Sequence, residues 1–185
     1  KHKSLGVITV QCEDEISGCA TAIGASFAGA LAVTTTSGPG VCLKSEAMNL
    51  AVITELPLVV LDVQRGGPST GLPTKSEQTD LLQALFGRNG ESPMPVIAAT
   101  SPTNCFDAAY AACKMALEHM TPVVLLTDGF VANGSGSWKL PNLDTYPEIK
   151  PQYVTPEMKD NYTPYKRNPE NQVRYWAVPG QEGYT

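Results

Sequence analysis

The sequence has little charge, little histidine and no long hydrophobic run. Charged residues make up 17% of the 185 residues, His occurs 2 times, and the formal net charge is −5. This acidic balance excludes the basic surface that binds nucleic acid or anionic lipid. The apolar runs are far shorter than the roughly 18 to 20 residues that span a membrane. The length suits one globular domain, and so low a charged fraction indicates a surface that another subunit covers.

The five cysteines lack the spacing of a metal site. They stand at positions 12, 19, 42, 105 and 113 without a CxxC pair, so neither zinc nor an iron–sulfur cluster is expected on this chain. Their odd number favours free thiols in a reducing, cytoplasmic compartment. His2 is terminal and His119 falls in the last turn of a predicted helix, so no Ser–His–Asp set is indicated.

Residues 1–137 alternate short apolar, β-branched runs with helical stretches rich in Ala and Gly. This alternation is typical of an α/β fold, in which helices cover both faces of a parallel sheet. The predicted strands are 5–12, 31–36, 57–63, 94–100 and 122–128. The predicted helices are 15–30, 41–55, 76–86 and 103–120, and SGPG (37–40) is predicted to form a sharp loop.

Residues 138–185 have a different composition and form the second predicted segment. They contain 7 of the 15 prolines and 8 of the 13 aromatic residues, and they show no helical or alternating period. Proline stops helices, so we expect an extended tail. Its Tyr and Trp side chains combine apolar area with a polar group, which suits wrapping over a neighbouring surface. A flexible linker is the alternative.

Ligands of an open parallel sheet bind at the carboxyl ends of the strands, so the segments that follow the strands hold the candidate site residues. After the first predicted strand, the run CEDE ends at Glu15, which opens a helix. Capping of that helix explains Glu13 or Asp14. Glu15 precedes a helix built of small residues for close contact, where a carboxylate needs a partner, so capping and function both remain open for it.

Two further segments are candidates. Ser37-Gly38-Pro39-Gly40 lacks the GK[ST] ending of a phosphate-binding loop, yet it can bring backbone amides to a ligand; a simple tight turn is the alternative. The longer segment QRGGPSTGLPTKSEQ (64–78) places Arg65 directly after a buried strand, where a guanidinium can grip a carboxylate with two hydrogen bonds. Thr74 and Lys75 offer a hydroxyl and a second cation, and an interface loop is the alternative.

Residues 13–81 carry a resemblance to a known family. Their SGPG and QRGGPSTGLPTKSEQ motifs, together with LLTDGF and the tail segments YPEIKP, PYKRNPE and RYWAVPG, closely resemble the alpha subunit of the 2-oxoacid:ferredoxin oxidoreductases. The 2-oxoglutarate type is the nearest within that family. The resemblance implies the pyrimidine-binding domain of a thiamine diphosphate enzyme, with the cofactor bound between this domain and a beta subunit. That beta subunit would carry Mg²⁺ and a [4Fe–4S] cluster.

The resemblance also implies roles for individual residues. Glu15 would hydrogen-bond the aminopyrimidine ring and promote the tautomer that deprotonates the cofactor. The segment Ser37, Gly38, Pro39 and Gly40 would bind cofactor, while Arg65, Thr74 and Lys75 would contact substrate.

The implied reaction is the oxidative decarboxylation of a 2-oxoacid with CoA to acyl-CoA and CO₂, with electrons passed to ferredoxin by a hetero-oligomer. Three alternatives stay open: an oxidoreductase for pyruvate or branched-chain 2-oxoacids, a decarboxylase, and a non-catalytic scaffold. The family's YPITP-like segment precedes this region and is absent here. We therefore expect a segment of a longer subunit that is inactive by itself.

Overall fold

The computed structural model describes residues 2–184. The first residue of the predicted domain 1–137 and the last residue of the predicted tail 138–185 lie outside the described residues. A four-stranded parallel sheet forms the centre, with the strand order β1-β2-β4-β3. The strands are β1 (Ala32–Thr36), β2 (Leu58–Gln64), β3 (Val96–Ala98) and β4 (Pro122–Asp128). The predicted α/β class with a parallel sheet is confirmed.

Helices cover both faces of the sheet. They are α1 (Glu15–Phe27), α2 (Gly38–Leu43), α3 (Ser45–Ile53), α4 (Leu81–Phe86), α5 (Cys105–His119) and α6 (Gly129–Asn133). Side chains alternate along a strand, so Leu58 and Val60 pack towards α1 and α3, whereas Val59 packs towards α5. On the α5 side the small residues Ala112 and Ala116 let the helix lie close to the sheet.

The predicted strand 5–12 is wrong. Residues Lys3–Leu5 form a 3₁₀ turn, and the following chain makes no strand. Val7, Ile8 and Val10 are at least half exposed, because this segment pairs with no neighbouring strand. A β-branched run becomes a strand only where its backbone joins a ladder, and here β1 remains the edge of the sheet.

Three helix boundaries also differ from the prediction. SGPG is the start of α2 and not a sharp loop. Ser37 takes the N-cap position, and Pro39 lies in the first turn, where a helix tolerates proline. The predicted helix 41–55 is divided at Lys44 between α2 and α3. Residues 76–80 are not helical, because the backbone N–H of Asp80 donates to Gln64 Oε1 (2.9 Å) and starts α4 later.

The segment after β4 begins with helix α6. The Asp128 carboxylate caps this helix by accepting hydrogen bonds from the backbone N–H groups of Phe130 (2.7 Å) and Val131 (2.9 Å). Such N-caps satisfy donors that a helix otherwise leaves free. No helix of the described residues is long and apolar enough to cross a membrane.

Part of the aromatic tail packs on its own chain. Trp176 is 1% exposed, stacks on Tyr153 with ring centroids 5.4 Å apart, and joins a buried cluster with Val173 and with Leu117 and Met120 at the end of α5. The rest of the tail runs through 3₁₀ turns at Leu143–Thr145 and Pro156–Asn161. This aromatic cluster therefore anchors the tail to the sheet domain.

Trp176→Ala should lower the free energy of unfolding by about 3–5 kcal/mol, because it opens a large cavity in this cluster. Trp176→Phe should cost less than Trp176→Ala, since the phenyl ring fills part of the space and the indole nitrogen has no hydrogen-bond partner to lose. Urea denaturation measures both, with Trp138→Ala as the control at a half-exposed tryptophan of the same tail. Equal losses for Trp176→Ala and Trp138→Ala would contradict the anchoring role.

Candidate active site

Glu15 lies at the carboxyl edge of the sheet, as the first residue of α1. The preceding Asp14 caps this helix, because its Oδ1 accepts from the backbone N–H of Ser17 (2.7 Å) and the Ser17 hydroxyl completes the capping box. These hydrogen bonds lower the pKa of Asp14. Capping is thus achieved without Glu15, whose exposed carboxylate accepts no hydrogen bond from the described residues and is free for a ligand.

The glycines of α2 bring this helix close to two carboxylates. A Cβ on Gly40 would lie 1.8 Å from Thr36 Oγ1 and 2.8 Å from Glu15 Cγ, and a Cβ on Gly38 would lie 2.6 Å from Asp80 Oδ2. Any other residue would displace these groups. Gly40 therefore places Glu15 directly against the backbone of the predicted cofactor-binding segment. The Ser37 hydroxyl is half-buried and makes no capping hydrogen bond.

Arg65 follows the last residue of β2 and is half-buried. Its Nε is buried without a hydrogen-bond partner, and no carboxylate of the described residues lies within 4.0 Å of its guanidinium. A guanidinium in this state is a ready site for an anion, because a carboxylate supplies two parallel hydrogen bonds.

The 65–80 loop is fastened along its length. The backbone N–H of Gly66 donates to the carbonyl of Lys75 (2.8 Å), and the backbone N–H of Gly67 donates to Glu77 Oε2 (2.7 Å). At its far end, Gln78 Nε2 donates to Asp128 Oδ2 (2.6 Å) at the end of β4. The loop is therefore an ordered part of the site.

The predicted substrate-binding residues Arg65, Thr74 and Lys75 all lie in this loop. Among the described residues, no hydrogen bond joins their side chains to one another. Thr74 and Lys75 are exposed. The backbone pairing of Lys75 with Gly66 brings its peptide next to Arg65. Beside the loop, an open cavity of about 430 Å³ is lined by Ser76, Glu77, Gln78, Thr100, Asp128, Phe130 and Val131.

Three ionisable groups beneath α2 were not predicted from the sequence: Lys44, Asp62 and Asp80. Lys44 is 1% exposed, and its Nζ donates to Thr34 Oγ1 (2.9 Å). Burial lowers the pKa of this ammonium, while nearby acidic groups act in the opposite direction. Asp62 is fully buried, and burial together with the facing charge of Asp80 raises the pKa of Asp62 to about 7. One signal was available, because Asp62 is the single charged residue of the apolar run PLVVLDV.

Gly40→Ala should lower the free energy of unfolding by about 1–3 kcal/mol, because the added methyl group overlaps Thr36 and Glu15. Gly24→Ala is the matched control in α1, since a Cβ there meets nothing within 4 Å, and it should stabilise the protein by up to about 1 kcal/mol. Chemical denaturation compares the two variants. Equal stability of both would contradict the close approach of α2 to Glu15.

Comparison with known proteins assigns the chain to a family. The family model described as pyruvate flavodoxin/ferredoxin oxidoreductase, thiamine diphosphate-binding, matches residues 2–181. The 2-oxoglutarate oxidoreductase subunit KorA of Mycobacterium tuberculosis is 55% identical over 183 residues, which are 99% of this chain and 28% of that protein. The 2-oxoglutarate synthase subunit KorA of Archaeoglobus fulgidus is 44% identical over 138 residues, 75% of this chain and 40% of that protein.

Solved structures agree with this assignment. The 2-oxoglutarate:ferredoxin oxidoreductase of Magnetococcus marinus, solved with 2-oxoglutarate, coenzyme A and succinyl-CoA bound, is 35% identical with a TM-score of 0.89, over 100% of this chain and 32% of that one. A thiamine diphosphate-dependent 4-hydroxybenzoylformate decarboxylase of Rhodococcus jostii RHA1, 14% identical with a TM-score of 0.53 over 80% of this chain and 28% of that one, shares the fold alone. This chain thus spans less than half the length of each of these relatives. The chain belongs to the thiamine diphosphate-binding family of the pyruvate flavodoxin/ferredoxin oxidoreductases.

Proposed function

We propose that this chain forms the pyrimidine-binding side of the active site in the alpha subunit of a 2-oxoglutarate:ferredoxin oxidoreductase. The whole enzyme would convert 2-oxoglutarate and CoA to succinyl-CoA and CO₂ and pass two electrons singly to ferredoxin. The single observation that carries the proposal is the unpartnered Glu15 carboxylate, held against Gly40 at the carboxyl edge of the sheet. The relatives named for this reaction support it.

The residues at this edge fit the cofactor that the family implies. The exposed Glu15 carboxylate would accept a hydrogen bond from the ring nitrogen N1′ of an aminopyrimidine and would stabilise a proton held there. The backbone of Gly38, Pro39 and Gly40 would form the wall beside that ring, because Gly40 packs directly against Glu15. Bound thiamine diphosphate supplies the carbanion stabilisation that decarboxylation of a 2-oxoacid needs.

Arg65 and Lys75 fit a substrate with two carboxylates. The half-buried Arg65 guanidinium would grip the carboxylate next to the reacting carbonyl, because its buried Nε has no hydrogen-bond partner and its guanidinium no carboxylate within 4.0 Å among residues 2–184. The exposed Lys75, with Thr74 beside it, would meet the distal carboxylate, which pyruvate and branched-chain 2-oxoacids lack. This second cation is why we favour 2-oxoglutarate over those substrates.

The site requires a second subunit. We assign the binding of the diphosphate and Mg²⁺, and the [4Fe–4S] cluster, to a beta subunit, because residues 2–184 contain no group of three side chains suited to hold a metal. Large apolar side chains are exposed on α2, the 65–80 loop, α4 and α6, where a partner would cover them: Leu43, Leu72, Leu81, Leu82, Phe86 and Phe130. We place this hetero-oligomer in the cytoplasm, where the five free cysteines would stay reduced.

Glu15→Gln should reduce kcat of the enzyme reconstituted from full-length subunits by about 10²- to 10⁴-fold, since an amide cannot stabilise a protonated ring as a carboxylate does. Steady-state assays of ferredoxin reduction measure this effect. Glu13→Gln, two residues earlier and also exposed, is the control and should keep normal turnover. Near-normal turnover of Glu15→Gln would remove Glu15 from the mechanism.

Arg65→Lys should impair the enzyme nearly as much as Arg65→Ala, because an ammonium cannot reproduce the two parallel hydrogen bonds of a guanidinium. Loss of a charge-assisted hydrogen bond costs about 1.5–3 kcal/mol, which corresponds to roughly a 10- to 150-fold fall in kcat/KM for the 2-oxoacid. The KM for CoA and the assembly of the complex should change little.

Arg88→Lys is the matched control for this pair of variants. Arg88 also has a half-buried guanidinium, but it donates to the carbonyls of Ala84 and Ser92 at the end of α4. Its replacement should leave the kinetics unchanged. If the Arg65 variants instead weaken assembly on size-exclusion chromatography and the surviving complex keeps a normal KM for the 2-oxoacid, Arg65 only braces the interface.

A further inference from the structure

A pair of carboxyl groups, the buried Asp62 and the half-buried Asp80, lies beneath α2, outside the groups that the proposed reaction uses. Asp62 extends from β2 towards the α2 side of the sheet and is fully buried, and neither of its oxygens has a hydrogen-bond donor among the described residues. Asp80, at the end of the 65–80 loop, faces it, and Asp80 Oδ2 is also buried without a donor. Two facing carboxylates with buried, unpartnered oxygens repel each other, so a state in which one carries a proton and donates it to the other is favoured.

The surrounding charges fit a pair with one shared proton. Lys44 is buried beside Asp62, and no carboxylate of the described residues lies within 4.0 Å of its Nζ. A pair with one proton carries a single negative charge, which balances this ammonium, whereas a fully ionised pair would leave an excess buried charge. The remaining groups that face the cluster are Glu77 from the loop and, next to Lys44, Glu15 and Cys19 from α1.

The pair is placed where it can hold the loop in position. The Asp80 carboxylate packs against Gly38 of α2, and the Asp80 backbone N–H donates to Gln64 Oε1 at the end of β2. The other end of the same loop is Arg65, directly after Gln64. A hydrogen bond between Asp62 and Asp80 therefore joins the sheet to the far end of the loop that presents Arg65.

We propose that Asp62 and Asp80 are positioning residues, which share one proton and thereby fasten the 65–80 loop, with Arg65, for binding of the 2-oxoacid. This inference rests on the proposed function, since it takes Arg65 as the substrate ligand. Loss of the shared proton turns the hydrogen bond into a repulsion and loosens the loop. The raised pKa of Asp62, about 7, puts this change near neutral pH. The Cys19 thiol does not interfere there, because burial raises its pKa above its usual value.

The test uses the enzyme reconstituted from full-length subunits. In the wild type, the KM for 2-oxoglutarate should rise about tenfold between pH 6.5 and pH 8.5, while kcat changes less, because the loop positions substrate and does not touch the reacting proton. In Asp62→Asn an amide donates permanently to Asp80, so KM should stay within about twofold over this range. Asp107→Asn, on α5, removes the same charge away from the site and should keep the wild-type rise.

A second readout does not depend on turnover. A carboxyl whose pKa is raised on folding binds more protons in the folded state, so stability falls as pH rises from about 4 to about 7. The melting temperature of the cofactor-free wild-type complex should therefore fall relative to that of Asp62→Asn between pH 5 and pH 8. If Asp62→Asn does not fold, Asp80→Asn, which reverses donor and acceptor, takes its place.

Retention of the wild-type rise in KM by the asparagine variant, or parallel melting temperatures of the variant and the wild type across pH, would overturn the proposal. Failure of the proposed function is seen separately, because a normal KM in Arg65→Ala would remove Arg65 from substrate binding and leave the melting comparison unaffected.

Discussion

The close approach of α2 to two carboxylates is the constraint on which the site depends. Gly40 lets the helix backbone lie against Glu15 and Thr36, and Gly38 lets it lie against Asp80. A single methyl group at either glycine would overlap these neighbours. The helix thereby lies between Glu15, which we propose contacts the cofactor, and Asp80, which we propose fastens the 65–80 loop.

The sheet determines where the other groups lie. Parallel strands end at one edge, and there Gln64 of β2 accepts a hydrogen bond from the Asp80 backbone N–H, while Asp128 of β4 accepts one from the Gln78 side chain. Gln64 also donates to the carbonyl of Thr127, which ties the two strands together at this edge. The core of the fold therefore positions the loop that carries Arg65.

The sequence predicted the parts of the fold that follow from local pattern. Strands β2 and β4 and helix α5 formed as predicted. The apolar length of the two strands and the periodicity of the Ala-rich helix are enough to specify their secondary structure. The run 5–12 failed because a strand depends on a paired neighbour, and SGPG failed because its Gly and Pro, read as a turn, here start a helix. Lys44 and Asp62 were missed for a related reason. The alternation of apolar and polar residues predicts which face of a strand is buried, but it does not predict which polar group of another element packs against that face.

The central claim is that this chain supplies one side of a thiamine diphosphate site that a second subunit completes. Calorimetric titration of thiamine diphosphate with Mg²⁺ tests it most directly, with the full-length subunit alone and then with the assembled two-subunit complex. We expect no measurable binding to the subunit alone and tight binding to the complex. Micromolar binding to the subunit alone would contradict it.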